Sequence, residues 1–377
     1  MKIFAVSIYL ILLILPLQGQ PENIDYSRYV SLYDSGKHKT ALKEMNKIIK
    51  NGSDDNRNYF IRGMANLKLK NYKAAIIDLT EAIDRNINKP SRAYYARGSA
   101  KVIIGDYNAG ISDLSEAIKL DTTYFDAYRD RGRAWLEVKE YEKALDDTDR
   151  GMEMNPSSFV IFVTRGVAKF NLKDYDGALK EYYKAISLNP HNGVTYYKRG
   201  LVKEQMKDID GAMLDYDRAI RLDPKKMSRA YVKRGMLKSG KDDFRGAIKD
   251  YNKAIKIDPD DYIAYANRGV AKARSKRKNY KGSIKDFTKA IQLYPNRPGA
   301  YNNRGFSKYN LGMYKESIDD YNKAIEINPN YSYPHTNRGR SLIELNQNSQ
   351  ACIDFKRALE LGDEDATEYI EKHCGRE

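Results

Sequence analysis

The amino-acid sequence predicts an all-α chain: a solenoid of about ten helix-turn-helix units closed by a C-terminal capping helix. Three observations carry this. An Arg-Gly pair recurs nine times, from Arg62 to Arg338, at intervals of 34 to 36 residues. Within each unit, apolar residues fall three and four apart in two blocks, the spacing of two amphipathic helices. The units also end alike, on Asn-Pro or Asp-Pro at Pro156, Pro190, Pro224, Pro259 and Pro329. A period of this size marks an array of one small unit, each touching only its neighbours.

The N-terminus reads differently. Lys2 is followed by an apolar run from Ile3 to Leu17, then by Gln18, Gly19 and Gln20. One basic residue, a short apolar run and a small residue at its end fit a secretory signal peptide over residues 1–19, cut after Gly19. The run is short for a membrane span, which needs about 20 apolar residues. Leu17 is a poor match to the small residue usual three positions before the cut. No cysteine lies there for lipid attachment. A periplasmic or secreted location is expected, with membrane association only if the leader stays on.

The array is assigned to residues 22–362. Three residues before the Arg stands an aromatic, from Tyr59 to Tyr301, with His335 the exception. A second aromatic follows ten residues after it in most units, and then two small residues seven apart, such as Ala178 and Ala185. Turns such as Gly105-Asp106 and Lys173-Asp174 join the two helices. The residue before a Pro avoids helical geometry, so the closing Pro stops the second helix. Gly inside a helix costs about 1 kcal/mol relative to Ala. Its recurrence after the Arg implies a backbone too near for a Cβ.

This pattern closely resembles the tetratricopeptide repeat, a helix-turn-helix unit of about 34 residues. A further copy with Arg28, Gly36, Ala41 and Leu42 in phase raises the count to ten. The resemblance implies a right-handed superhelix with a concave groove lined by the first helices. Arg departs from the family's usual Leu, and the departure comes with a partner: an acid sixteen residues on, displaced to Asp286 by a two-residue insertion in one unit. Arg62 with Asp78, Arg199 with Asp215 and Arg234 with Asp250 are expected ion pairs inside the repeat. A Lys four residues after the Arg, as at Lys203, adds to this face in six units.

Function is sought at positions that do not repeat. Residues around the Arg on the first helices give an apolar N-terminal lining that includes Phe60, Met64, Tyr95 and Phe170. Farther along, Tyr197, Lys198 and Lys233 precede the Arg, and Asn267, Asn303 and Asn337 do so in later units, with Asn302 alongside. An amide donates and accepts hydrogen bonds at once, so stacked Asn can hold a peptide backbone. In family members that bind chaperone tails, Asn at this place does so. Their carboxylate clamp is not assembled, because Val270, Gly299, Phe306 and Tyr333 occupy its places; Phe306 becomes an apolar candidate contact instead.

The net charge of +15 raises nucleic acid as a partner. The cations are dispersed through every repeat and no nucleic-acid motif is present, so none is expected. His38, His191, His335 and His373 are scattered without metal-site spacing, and neither an enzyme nor a cofactor is expected. Residues 363–377 read as a capping helix and tail, since solenoid ends must be covered. Cys352 and Cys374, the only two cysteines, are a possible disulfide there. The leading reading is a non-enzymatic protein- or peptide-binding scaffold or adaptor of the cell envelope. The alternatives are a co-chaperone-like holdase and a binder of an anionic envelope polymer or carbohydrate.

Overall fold

The computed structural model describes residues 26–375. The leader expected over residues 1–19 and the first residues of the array lie outside them. Twenty-one helices and no strand occur among the described residues. They pair into ten repeats, from Tyr26–Asp34 with His38–Lys50 to Ser332–Glu344 with Asn348–Glu360, followed by the short helix Ala366–His373. The repeats group into two compact units, one to five ending at Pro190 and six to ten starting at His191.

One left-handed residue turns the chain inside every repeat. It is Gly at Gly36, Gly105 and Gly312, but Lys in five repeats, as at Lys173 with φ 65°. The amide of Asp174 then returns to the carbonyl of Lys169 at 2.9 Å, closing the first helix. The Asp174 carboxylate caps the second helix by accepting from the Gly177 amide at 2.9 Å. A Cβ at Gly177 would stand 2.0 Å from Asp174 Oδ2, so the glycine leaves the capping carboxylate its place. Asp208 with Gly211 and Asp243 with Gly246 repeat the device. At the other end, Asn189 is held at φ −142° and ψ 85° ahead of Pro190, outside helical space.

The small residues of the second helices, Ala178 and Ala185 among them, are fully buried and let helices approach closely. The Gly after the Arg corrects the sequence expectation. What crowds it in most repeats is a side chain, the residue directly after the acid. A Cβ at Gly166 would lie 2.6 Å from the Tyr182 ring, and one at Gly339 2.5 Å from Phe355. Only at Gly98 is the nearest obstacle backbone, the Gly110 carbonyl at 2.9 Å. Tyr182, Tyr216, Tyr251, Phe287, Tyr321 and Phe355 are among the largest fully buried side chains. The glycine leaves room for these rings against the first helix.

The last repeat is covered by Ala366–His373. Tyr369 stacks on Phe355 with ring centroids 5.0 Å apart, and Thr336 donates to Asp363 in a buried bond. Cys352 and Cys374 are joined by a disulfide, with Cα atoms 5.5 Å apart.

Candidate functional site

The Arg–acid pairs set the frame that any binding face must sit on. Arg199 Nε and Nη2 reach the two carboxylate oxygens of Asp215 at 2.8 and 2.5 Å, a bidentate pair. Arg62 donates from Nε and Nη2 to Asp78 Oδ1 at 2.9 and 2.6 Å, and Arg234 engages both oxygens of Asp250. In repeats with the extra Lys, its ammonium joins the same acid: Lys203 lies 3.1 Å from Asp215 and Lys308 2.8 Å from Asp320. Asp147 belongs to a repeat with Trp135 in place of that Lys. Burial there outweighs Arg131 and raises the carboxyl above its ordinary value. For Asp354 burial also opposes ionisation, but Arg338 and His335 prevail and hold the carboxyl below it.

The remaining guanidinium nitrogen reaches across to the preceding repeat. Arg131 Nη1 donates to Ser115 Oγ at 2.9 Å, Arg268 Nη1 to Asn252 at 2.6 Å and Arg338 Nη1 to Asn322 at 2.6 Å. Each acceptor stands two residues after the acid of its own repeat. Seven of these Arg, from Arg62 to Arg304, also lie over the tyrosine three residues before them, as Arg268 does over Tyr265 at 5.3 Å. The repeated residues are therefore engaged with one another.

Several candidate contact residues are engaged as well. Tyr95 is only 7% exposed and does not line an open face. Its hydroxyl donates to Asp130 at 3.0 Å, within a buried cluster that Arg129 completes with bonds to Asp126 and Asp130. Phe60 and Met64 are buried in the same way, so much of the expected N-terminal lining is internal packing. Asn302 is 6% exposed and accepts from Asn337 Nδ2 at 3.0 Å, a bond between the first helices of repeats nine and ten. Lys233 pairs with Glu204 at 2.9 Å, and Tyr216 donates to the same carboxylate at 2.6 Å. Packing across repeats consumed these groups.

Others remain half-exposed on the first helices. Asn303 accepts weakly from Asn302 at 3.3 Å, while Asn267 donates to its own helix at Ile263 O, 2.9 Å away. Phe306 and Lys198 are half-buried, as are Tyr197, whose ring lies 5.8 Å from Tyr216, and Phe170, 5.8 Å from Tyr175. Sequence reasoning passed over exposed apolar residues flanking this column: Val194, Met236 and Ile263. They recur five residues before or two after the Arg, one helical turn from the Asn position, which is the signal that would have found them. Among the described residues no group of three or more His, Cys, Asp or Glu is arranged to hold a metal ion.

Comparisons with known proteins follow this geometry. No curated protein matches the chain. Its fold is similar to that of a chain in the crystal structure of the APC/C hetero-tetramer Cut9–Hcn1, at 14% identity and TM-score 0.52 over 93% of this chain and 83% of that one. A tetratricopeptide repeat protein from Parabacteroides merdae aligns at 18% identity and TM-score 0.46, covering 67% of this chain and 99% of that one. YrrB, described as a repeat protein with an unusual peptide-binding site, aligns at 22% identity and TM-score 0.40, over 50% of this chain and 95% of its own. Tetratricopeptide-repeat family models match residues 30–93, 91–124, 161–192, 194–226, 241–276, 298–331 and 320–353. With ten helix-turn-helix repeats and these matches over most of its length, the chain belongs to the tetratricopeptide repeat family.

Proposed function

We propose that this chain is a non-enzymatic scaffold or adaptor that holds an extended protein or peptide segment against the first helices of repeats six to ten. One observation carries the reading. The residues that recur are spent inside the array, whereas the first-helix positions that vary keep apolar and amide surface in solvent. Tyr333 is 56% exposed, Val194 45% and Ile263 41%, and Asn267, Asn303 and Asn337 run between them along the helices. Amides beside apolar side chains suit an extended segment, whose backbone needs hydrogen bonds and whose side chains need pockets. The holdase alternative rests on an apolar N-terminal lining, of which Phe60, Met64 and Tyr95 are packed inside and Phe170 is half-exposed.

A photo-crosslinking residue at Asn303 in the native cell, followed by mass spectrometry, tests this. One predominant partner segment is expected from Asn303 and none from the exposed control site Lys249 on a second helix. Identical adducts from both sites would refute a specific face.

Export to the cell envelope is part of the proposal. Lys2 with its apolar run to Leu17 supports it, and so does the Cys352–Cys374 pairing, which belongs in an oxidising compartment. Sequencing the N-terminus of protein recovered from the cell envelope should begin at Gln20. Protein starting at Met1 in the cell interior contradicts export.

A further inference from the structure

The two-residue insertion in repeat eight changes one edge of the molecule. The turn between Tyr262–Arg274 and Tyr280–Leu293 spans five residues, Ser275 to Asn279, where most repeats use three. From Gly269 to Lys285 the chain carries seven cations and no acid. Lys272 is committed to Asp286 at 2.7 Å, and Arg274 lies 3.7 Å from Asp242 and over the Phe244 ring. Lys276, Arg277, Lys278, Lys281 and Lys285 are exposed.

The turn is shaped rather than slack. Lys278 adopts φ 43°, its amide donates to Ser275 O at 2.8 Å, and the Asn279 amide donates to Lys272 O at 3.0 Å. The neighbouring turn of repeat nine, on the same edge, exposes two apolar residues, Leu311 at 38% and Met313 at 37%. A hydrogen bond of 3.0 Å between Ser283 Oγ and Ser307 Oγ ties the helix ends that flank the two turns. Acids on this edge are engaged or set beside cations: Asp242 is shared with Arg274, Asp243 caps Gly246, Glu316 sits beside Lys315, and Glu344 accepts from Tyr309.

We propose that this edge, the basic turn of repeat eight with Leu311 and Met313 beside it, docks on a membrane surface rich in anionic phospholipid. Clustered cations are drawn to anionic headgroups, and exposed apolar side chains at the same level insert among them. The apolar pair decides the class of partner. A soluble sulfated or phosphorylated polymer would use the cations but leave Leu311 and Met313 in water. Single-stranded nucleic acid needs aromatic platforms, and the only ring of this turn, Tyr280, is half-buried.

The test is co-sedimentation of the full chain with phosphatidylcholine vesicles, with and without about a third phosphatidylglycerol. Lys276→Gln with Arg277→Gln should weaken partitioning onto the anionic vesicles about 30-fold, at roughly five-fold per basic residue. Leu311→Ser with Met313→Ser should weaken it by about ten-fold or more. Lys225→Gln with Lys226→Gln, exposed at the opposite ends of the helices, removes the same charge and should change little. Equal weakening by the control pair would overturn the proposal in favour of overall charge. Binding to heparin or an oligonucleotide that needs Lys276 and Arg277, with vesicle binding indifferent to Leu311 and Met313, would overturn it in favour of a soluble polyanion. All six positions are at the surface, and an unchanged far-ultraviolet circular dichroism spectrum will establish that each variant is folded.

Discussion

Replacing Gly132 by alanine should stabilise the protein, while the same change at Gly166, one repeat later, should destabilise it. Both glycines directly follow the repeated Arg inside a first helix, where alanine is favoured by about 1 kcal/mol. At Gly132 the added Cβ would lie 3.4 Å from Asp147 Cβ and from Thr148 Cγ2, which is ordinary contact, so the gain is kept. At Gly166 it would lie 2.6, 2.8 and 2.9 Å from three ring atoms of Tyr182. That ring is 2% exposed and cannot swing out. Overpacking of this kind costs about 1–3 kcal/mol, which cancels or exceeds the helix gain. The two variants should therefore differ by about 1–3 kcal/mol. Native-state hydrogen exchange in urea, read on the helices holding each glycine, measures this locally, since repeat arrays depart from two-state melting. Equal changes at the two sites would refute the claim that the ring, and not helix propensity, fixes the glycine.

Two more predictions follow from the ion pairs. Arg199→Ala and Asp215→Ala should each lower thermal stability and together be less than additive, as expected for groups in direct contact. Asp215→Ala should be the more harmful, because it removes a carboxylate that Arg199 and Lys203 share; breaking a fully buried pair costs about 3–5 kcal/mol. Purely additive shifts in calorimetric melting would dismiss the pairing. Asp354 has its carboxyl held below the ordinary value, so its contribution is present above the unfolded value and lost as pH falls through the folded one. Asp147, raised mainly by burial, has the opposite sign and gains on protonation. Acidification should thus loosen hydrogen-exchange protection in residues 348–373 before that of repeat four, and loss in the reverse order would contradict the assignment.

What the sequence made legible was whatever recurs at the period. Arg199 and Asp215 could be paired by their spacing alone, because both lie in one repeat. In eight repeats a further bond of the Arg, from Arg268 to Asn252 for example, crosses to the preceding repeat, which the spacing within a repeat does not reveal. Its trace was nonetheless there: Asn46, Thr80, Ser115, Asp149, Asp217, Asn252, Thr288 and Asn322 form a polar column two residues after the acid. The ring that fills the space over Gly166 was missed for a similar reason. Tyr182 follows the acid directly, and among thirty-one tyrosines nothing in its type sets it apart. Tyr95 and Asn302 failed as open contacts because their partners, Asp130 and Asn337, come from the next repeat. In both, the residue two before one Arg meets the residue directly before the next, a place whose residue type changes from repeat to repeat, so no recurring residue announces the bond.

The polar column bears on how such a chain can change length. Eight of the Arg ask the preceding repeat only for an oxygen at one place, and Asn, Thr, Ser and Asp all supply it. The joint between successive copies is thereby standardised, like a thread cut to one gauge. Within either unit, a repeat lost or duplicated in the gene would bring new neighbours together with the same donor facing a usable acceptor. Variation in copy number can then be tolerated without compensating substitutions, while the residues that choose a partner drift separately on the first helices.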